Sequence, residues 1–229
     1  MAKYIVILVA VISYLIGSVN FSIMISKAIS GKDIRESGSG NAGATNMLRT
    51  HGKKMAIITL VLDILKGVVC VLIAVLYVNY INSPARDAIW GRSDLAMYRD
   101  AINSVALPYI AGVCVILGHN FPLYFGFKGG KGVATSLGVV LLLDWRVGLI
   151  LAVCCIAIMA VTRYVSLGSI IGGAAYIVIE IIKAVVTNDF NVIRMVCVVI
   201  IGGLLIARHH ANIKRLLNGT ENKLGAKKE

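Results

Sequence analysis

The feature that most constrains this chain is its succession of long apolar blocks separated by short polar segments. Apolar residues make up 58% of the 229 residues and charged residues only 15%, whereas soluble domains average about 45–50% and about 25%. In hydrocarbon every backbone amide must find its hydrogen bond within the protein, so helices are the favoured spanning structure. We therefore predict an all-α, polytopic helical membrane protein.

Seven of the apolar blocks are candidate transmembrane helices. The predicted spans are 4–26, 55–81, 103–118, 132–143, 147–162, 167–187 and 192–207. The third and fourth blocks are short, and such a pair can instead form a re-entrant hairpin. The first block lacks a convincing cleavage site and is interpreted as a retained helix. We predict one integral-membrane domain over 1–217, followed by a polar cytoplasmic tail over 218–229.

The basic residues predict the orientation in the membrane. With the N-terminus outside, the inside segments carry fifteen of the 23 Lys and Arg residues and the outside segments carry seven, while Lys66 lies within a span. This asymmetry predicts an external N-terminus and a cytoplasmic C-terminus. The longest outside segment, 82–102, balances three Arg with three Asp and is interpreted as a solvated surface. The net charge is +12, but the basic residues lie between apolar blocks and in the tail, and aromatic residues are sparse. We therefore expect no nucleic-acid partner and expect contact with membrane lipids.

The first inside loop reads ESGSGNAGATNMLR over 36–49. Its glycines allow successive backbone N–H groups to point at an anion, among side chains that carry hydroxyls, amides and a cation. A flexible glycine-rich connector is the alternative interpretation. The candidate ligands in this loop are Ser39, Asn41, Thr45, Asn46 and Arg49.

The second inside loop reads GHNFPLYFGFKGGKGVATSLG over 118–138. A glycine turn that leads into a helix N-terminus collects free N–H donors at the positive end of the dipole, which favours phosphate. The Walker spacing is absent, so nucleotide hydrolysis is not supported. Alternatively, the lysines mark the membrane boundary. The candidate ligands are Lys128, Gly129, Gly130, Lys131 and Gly132.

Three more polar positions are candidates. His119 follows the third span and is either a general base or a boundary histidine bonded to backbone. The segments RYVSLGS at 163–169 and HHANIKRLLNGTE at 209–221 contribute Ser166, Ser169 and Asn212 as candidate oxyanion or phosphate ligands. For the basic residues of the second segment, snorkelling to lipid headgroups is the alternative.

Two acid–lysine pairs lie within predicted spans, Asp63 with Lys66 and Glu180 with Lys183. A charge in hydrocarbon is unfavourable and usually paired, so we interpret both pairs as structural. The five cysteines lie inside apolar blocks and lack metal-ligand spacing. The sequence therefore predicts no metal site and no cofactor.

The polar segments resemble a known family. SGNAGATNMLR at 39–49, GHNFPLYFGFKGGKG at 118–132 and Asn-Ile-Lys-Arg at 212–215 are similar to the three motifs of the bacterial acyl-phosphate-dependent glycerol-3-phosphate acyltransferases of the PlsY type. The resemblance extends over most of the chain, but Ala211 stands where family members often have an acidic residue. It implies a seven-span enzyme of the bacterial cytoplasmic (inner) membrane with a cytoplasmic active site.

The resemblance also implies a reaction, the transfer of an acyl group from an acyl phosphate to the 1-hydroxyl of glycerol 3-phosphate, at the start of phospholipid synthesis. Enzymes that supply acyl phosphate are an expected class of partner. Ser39, His119 and Lys131 are the expected catalytic residues, and either His119 or a phosphate oxygen of the donor takes the proton. The expected ligands of the acceptor are Thr45, Asn46, Arg49, Ser166, Ser169 and Asn212 beside Ser39. Those of the acyl phosphate are Lys128, Lys131 and the neighbouring glycines.

A transporter or channel for a phosphate-bearing anion is the alternative from another class. Short broken spans and intramembrane charges also occur in transporters. Two features disfavour it, because the chain has no internal repeat and its polar motifs cluster on one predicted side of the membrane. A scaffold without a ligand would leave the two glycine-rich loops unexplained.

Overall fold

A computed structural model describes residues 2–81 and 106–225, and all regular structure in these ranges is helical. This confirms the all-α prediction. The described α-helices are α1 (Ala2–Ser18), α2 (Phe21–Ser30), α3 (Ala44–Ile81), α4 (Ala106–Asn120), α5 (Val133–Leu143), α6 (Trp145–Thr162), α7 (Val165–Val186), α8 (Val192–Ala207) and α9 (His210–Leu217). Short 3₁₀ turns lie at Ile34–Glu36 and Leu123–Phe125.

Fewer helices than predicted are long enough to cross a membrane alone. Five candidate spans lie within the described ranges: Tyr4–Ser30, Ala44–Ile81, Ala106–Phe125, Trp145–Thr162 and Val165–Val186. A sixth results if α8 and α9, bent by 52°, are one span. The 11 residues of α5 extend about 16 Å, roughly half of a ~30 Å hydrocarbon core. Seven spans and the orientation stay predictions. The predicted loop 82–102 and residues 103–105 lie outside the described residues.

Local sequence explains where the first predicted span breaks and where α3 is interrupted before the second. Asn20 caps α2 by accepting a hydrogen bond from the Ile23 N–H, so the first predicted span consists of two helices. Gly31 ends α2 in the left-handed conformation. Gly52, with φ 83°, interrupts α3 before its long apolar part. Gly31 and Gly52 lie on either side of the first polar segment, 36–49.

The chain divides into two compact units, residues 1–143 and 144–229, hereafter unit 1 and unit 2. The prediction of one domain over 1–217 stays a prediction. In unit 1, α1 packs against α4, and α3 packs against both α4 and α5. Glycines permit these contacts: a side-chain carbon at Gly17, Gly118, Gly67 or Gly138 would lie 2.1–2.4 Å from a backbone oxygen of the facing helix. Gly67 brings α3 close to α5, and Gly118 brings α4 close to α1; Lys66 and His119, the residues beside these glycines, meet where α3 packs against α4.

Unit 2 consists of α6–α9 and the tail. α7 packs against α6 and α8, and its Gly173 faces Gly202 of α8 at a close approach of the two backbones. Arg163 ends α6 in the left-handed conformation. Its carbonyl accepts a hydrogen bond from Leu224 N–H, and its guanidinium donates to the Leu224 carbonyl. The tail is therefore held against the start of α7.

Candidate active site

The first loop, residues 31–43, is fixed to the second loop by one arginine. Arg35 donates through Nε and Nη2 to the Asp33 carboxylate at 2.9 and 2.8 Å. Its Nη1 donates to the carbonyl oxygens of Phe125 and Lys128 at 2.7 and 2.9 Å. The hydrogen bonds from Arg35 lower the pKa of Asp33 to about 2, so this anchor is ionised at neutral pH.

Asn46 holds the shape of the first loop from inside. Its side chain is buried, and its Nδ2 donates to the carbonyl oxygens of Ile34 and Ser37, both at 3.0 Å. Its Oδ1 accepts a hydrogen bond from the Ser39 N–H at 2.8 Å. Gly38, with φ 61°, passes so close that a side chain there would strike Asn46 Oδ1. Asn46 is predicted as a substrate ligand, but here its amide is occupied by backbone groups of the loop.

The other predicted residues of the first loop and of the start of α3 remain accessible. Ser39 and Arg49 are exposed, and Asn41 and Thr45 are half-buried. Within the described ranges, the Arg49 guanidinium makes no hydrogen bond or ion pair, so it is available to an anionic ligand. The structure thus separates one predicted residue that builds the loop from four that can face a ligand.

The two loops meet at Gly130. Its N–H donates to the His119 carbonyl at 3.1 Å, and the neighbouring Gly129 N–H donates to the Asn120 carbonyl at 3.2 Å. A side-chain carbon at Gly130 would lie 2.2 Å from His119 Nε2 and 2.4 Å from the Ala42 carbonyl oxygen. Only glycine therefore fits between the first loop and the histidine ring.

The glycine turn leads directly into α5, as the sequence predicts. Gly132 adopts φ 79°, α5 begins at Val133, and the Ser136 N–H donates to the Gly132 carbonyl at 2.7 Å. The preceding N–H groups lie at the positive end of the helix dipole. Lys131 is half-buried beside them, and Lys128 is exposed. The arrangement provides donors and cationic side chains for an anion.

A buried charged cluster lies behind the turn, and sequence analysis did not connect its members. The Nζ of Lys66 is 2.9 Å from His119 Nδ1 and 2.9 Å from Asp63 Oδ1. All three side chains are buried. Sequence analysis interpreted Asp63 and Lys66 as a self-neutralising pair and His119 as an independent residue. The glycines beside Lys66 and His119 were the available signal, because they mark helix faces that approach closely.

In unit 2, side chains from two predicted ligand segments, 163–169 and 209–221, converge on the carboxylate of Glu221. Glu221 accepts hydrogen bonds from Ser166 Oγ at 2.8 Å, Asn212 Nδ2 at 2.6 Å and Arg215 Nε at 2.7 Å. Burial alone would raise the pKa of Glu221, but the hydrogen bonds from Asn212, Ser166 and Arg215 outweigh it and lower the pKa. Ser169 is buried and instead donates to the Val165 carbonyl of its own helix.

Glu221 places a carboxylate beside Asn212, next to the position where Ala211 replaces the acidic residue that family members often have. It follows Asn212 by nine residues, and the bend at Gly219, with φ 67°, lies between them. The tail thus brings a carboxylate to Asn212 from the C-terminal side.

In residues 2–81 and 106–225, no group of three or more His, Cys, Asp and Glu side chains is arranged to hold a metal ion.

Comparison with known proteins identifies relatives over almost the full length. A family model described as glycerol-3-phosphate acyltransferase matches residues 7–219. The chain is 41% identical over 224 residues to a glycerol-3-phosphate acyltransferase of Clostridioides difficile (strain 630), covering 97% of each. It is 42% identical over 219 residues to one of Halalkalibacterium halodurans, covering 95% of this chain and 94% of the relative.

Two solved structures share the fold. PlsY (YgiH), an integral membrane glycerol 3-phosphate acyltransferase in its glycerol 3-phosphate form, matches with a TM-score of 0.77 and 34% identity over 96% of each chain. The lysophosphatidic acid form matches with a TM-score of 0.73 and 33% identity over 96% of this chain and 95% of that one. These matches confirm the resemblance seen in the three motifs. The chain therefore belongs to the glycerol-3-phosphate acyltransferase family.

Proposed function

We propose that this protein transfers the acyl group of an acyl phosphate to the 1-hydroxyl of sn-glycerol 3-phosphate. The products are 1-acyl-glycerol 3-phosphate (lysophosphatidic acid) and inorganic phosphate, and the reaction opens phospholipid synthesis. One observation carries the proposal: the first loop and the glycine turn, which have the residue types of anion sites, meet at Gly130. The relatives are named for the same acceptor, and one solved relative is in a lysophosphatidic acid form.

The glycine turn of unit 1 is the proposed site of the acyl phosphate. The N–H groups at the N-terminus of α5 and the Lys131 side chain supply donors and positive charge to the phosphate, whereas the Gly129 and Gly130 N–H groups donate to backbone carbonyls and hold the turn. Each charge-assisted hydrogen bond contributes about 1.5–3 kcal/mol. Lys128 lies on the exposed side of the turn and adds charge at the entrance. The apolar surface of the spans suits the acyl chain.

The acceptor needs a second set of anion ligands. In unit 1, Arg49 is the proposed partner of the glycerol 3-phosphate phosphate, with Ser39, Asn41 and Thr45 as donors to its oxygens. Asn46 acts indirectly, because its amide holds the loop.

In unit 2, Ser166, Asn212 and Arg215 form a polar cluster around Glu221. We propose acceptor binding for this cluster as well. Ser169 is retained as a predicted ligand that packs beside Ser166 on α7.

The chemistry requires no covalent intermediate with the protein. The acceptor hydroxyl oxygen attacks the acyl carbonyl carbon, the bond from that carbon to the phosphate oxygen breaks, and the hydroxyl proton passes to a phosphate oxygen. The leaving phosphate gains negative charge as this bond breaks, so its oxygens become better proton acceptors at that moment. Positioning of the two anions and electrostatic stabilisation then supply most of the rate.

The proposed location is the bacterial inner membrane with the site on the cytoplasmic side. The five or six apolar spans support insertion in a membrane. Fifteen basic residues on the predicted inside segments support the sidedness. Accessibility of single-cysteine variants to a membrane-impermeant thiol reagent in spheroplasts would test it, and labelling of a first-loop cysteine from outside would contradict it.

A donor comparison tests the reaction. The purified protein in nanodiscs receives labelled glycerol 3-phosphate with palmitoyl phosphate, palmitoyl-CoA or palmitoyl-acyl carrier protein. We expect labelled lysophosphatidic acid and stoichiometric phosphate with palmitoyl phosphate alone. Product from the thioesters would refute the donor, and absence of product with all three would refute the function. Uptake of glycerol 3-phosphate into proteoliposomes without product would favour transport.

Two charge deletions test the site. Lys131→Ala and Arg49→Ala are each expected to lower kcat/KM by about tenfold or more, because each removes a charge-assisted contact. The matched control is Lys54→Ala, which removes an exposed charge on the same helix as Arg49. Unchanged activity in both test variants would refute the phosphate sites.

A further inference from the structure

The hydrogen bonds of Lys66 account for every proton that its ammonium carries. Nζ donates to the Gly17 carbonyl at 3.2 Å, the Val19 carbonyl at 2.9 Å and His119 Nδ1 at 2.9 Å. Asp63 Oδ1 lies 2.9 Å from Nζ but is not aligned as a hydrogen bond, so it balances the charge without taking a proton. The ammonium has three N–H groups, and three acceptors surround it.

This arrangement determines the protonation of His119. An ammonium can only donate, so Nδ1 must present a lone pair, and the proton of the neutral ring is then on Nε2. A second positive charge 2.9 Å from the ammonium would be repelled in this buried setting. We infer that Lys66, balanced by Asp63, fixes His119 as the neutral Nε2–H tautomer and that both are positioning residues for the glycine turn.

The Nε2 atom is at the junction of the two loops. A side-chain carbon at Gly130 would lie 2.2 Å from it, next to the Ala42 carbonyl. His119 therefore presents a donor where the first loop and the glycine turn meet. In acyl transfer, which rests on the proposed function, His119 orients the turn or its ligand and does not take the hydroxyl proton.

Lys66 also connects this site to the break in the first span. The Gly17 and Val19 carbonyls lie at the end of α1, where helix carbonyls lack intrahelical partners. The Phe21 ring at the start of α2 lies 5.6 Å from Nζ, within cation–π range. One ammonium thus joins α1, α2 and the His119 ring to α3.

Nitrogen NMR of histidine-labelled protein in nanodiscs tests the tautomer directly. The His119 signal is identified by its loss in His119→Gln, and its two nitrogens report which one is protonated. We expect a protonated Nε2 and an unprotonated Nδ1 near neutral pH. A proton on Nδ1, in the other tautomer or in the imidazolium, would overturn the inference.

A Lys66 variant tests the cause. In Lys66→Met the ammonium beside Nδ1 is gone and the Asp63 carboxylate, 3.5 Å from Nδ1, remains, so we expect a proton on Nδ1. An unchanged tautomer would overturn the role of Lys66. The variant Asp63→Asn/Lys66→Met removes both charges of this pair and is the form to measure if the single variant does not fold. In it, an exclusively Nε2-protonated ring would also overturn that role. The matched control, Lys183→Met, should leave the His119 signals unchanged.

The activities of two His119 variants distinguish a hydrogen-bond donor from a general base at this position. The Gln side chain keeps an N–H near the position of Nε2, so His119→Gln should retain kcat within about tenfold, whereas His119→Ala should lose more. A general base would make both variants lose about 100-fold or more, which would overturn the donor role. If wild-type protein transfers no acyl group, the proposed function fails, but the NMR result still decides the tautomer.

Discussion

Two acid–lysine pairs, Asp63–Lys66 in α3 and Glu180–Lys183 in α7, have the same spacing along their helices but different surroundings. In the first pair both side chains are at most 3% exposed, and Lys66 donates only to groups inside unit 1. In the second, Lys183 is 38% exposed and reaches Asp144, the residue that caps α6. With identical spacing, the first pair joins three helices inside unit 1, whereas the second lies at a partly exposed contact between α7 and the start of α6.

The role of an intramembrane charge therefore depends on how deeply the groups around it are buried, and not on the spacing of the pair. Water partly solvates Lys183, so this lysine depends less on its partners, even though Glu180 is buried. Water does not reach the buried Lys66, and its hydrogen bond to Nδ1 determines which nitrogen of His119 is protonated. Variants of the buried pair and of the partly exposed pair should therefore differ most in stability.

Removing the buried lysine should have the largest effect. Lys66→Met leaves Asp63 buried and without its ion pair, so the free energy of unfolding should fall by about 3–5 kcal/mol. Lys183→Met should lower it less, because Lys183 is 38% exposed and lies 3.7 Å from the buried Glu180, a longer contact than the 2.9 Å of the first pair. Denaturant unfolding in detergent measures both values.

A double variant sharpens this contrast. Asp63→Asn/Lys66→Met should recover much of the lost stability, because no uncompensated charge remains, while acyl transfer stays low. Equal losses in the Lys66 and Lys183 variants would remove the distinction between the two pairs.

The junction of the loops should be the next most sensitive point. Gly130→Ala would force a carbon against His119 Nε2 and the Ala42 backbone, and a displacement of this kind can lower the rate about 100-fold. Gly203→Ala is the matched control, since open space surrounds that glycine. The measurement is kcat for lysophosphatidic acid formation, and similar rates in both variants would contradict the expectation.

Loss of the loop-holding amide should have an intermediate effect. Asn46→Ala leaves two carbonyls and one N–H of the first loop without their partner, at about 1–3 kcal/mol for each buried group that stays unpaired. We expect kcat/KM to fall about tenfold, chiefly through a higher KM for glycerol 3-phosphate. The control is Thr50→Ala, which loses a hydroxyl bonded to a carbonyl of its own helix. Equal KM values would contradict a role for the Asn46 amide.

The carboxylate of unit 2 should give the smallest effect, visible mainly as a pH dependence. Because the pKa of Glu221 is lowered in the folded protein, its ionisation stabilises the fold above the ordinary glutamate pKa. That stability is lost as pH falls through the lowered pKa. Glu221→Gln should lower Tm by about 2–4 °C at neutral pH and flatten this acid decline. An equally steep decline in the variant would show that other groups cause it.

Several local features followed from residue types alone. Long apolar blocks predicted the helical membrane architecture, and the Gly-Gly-Lys-Gly sequence predicted a turn that leads into a helix at Val133. The role of Asn46 did not follow, because an amide among glycines suits a ligand and a loop equally well. The Glu221 contacts with Ser166 and Asn212 span 55 and nine residues, and no local pattern shows how a tail folds back.

The helical class, the polar loops and the family follow from the residues alone, because apolar block length and motif spacing are read directly along the chain. The contact of Lys66 with His119, 53 residues away, and the partial exposure of Lys183 depend on how the helices pack. The physical reason is that spacing defines one helix face, while the free energy of a buried charge depends on every group that surrounds it. Those groups come from helices that the close approach at glycines brings together.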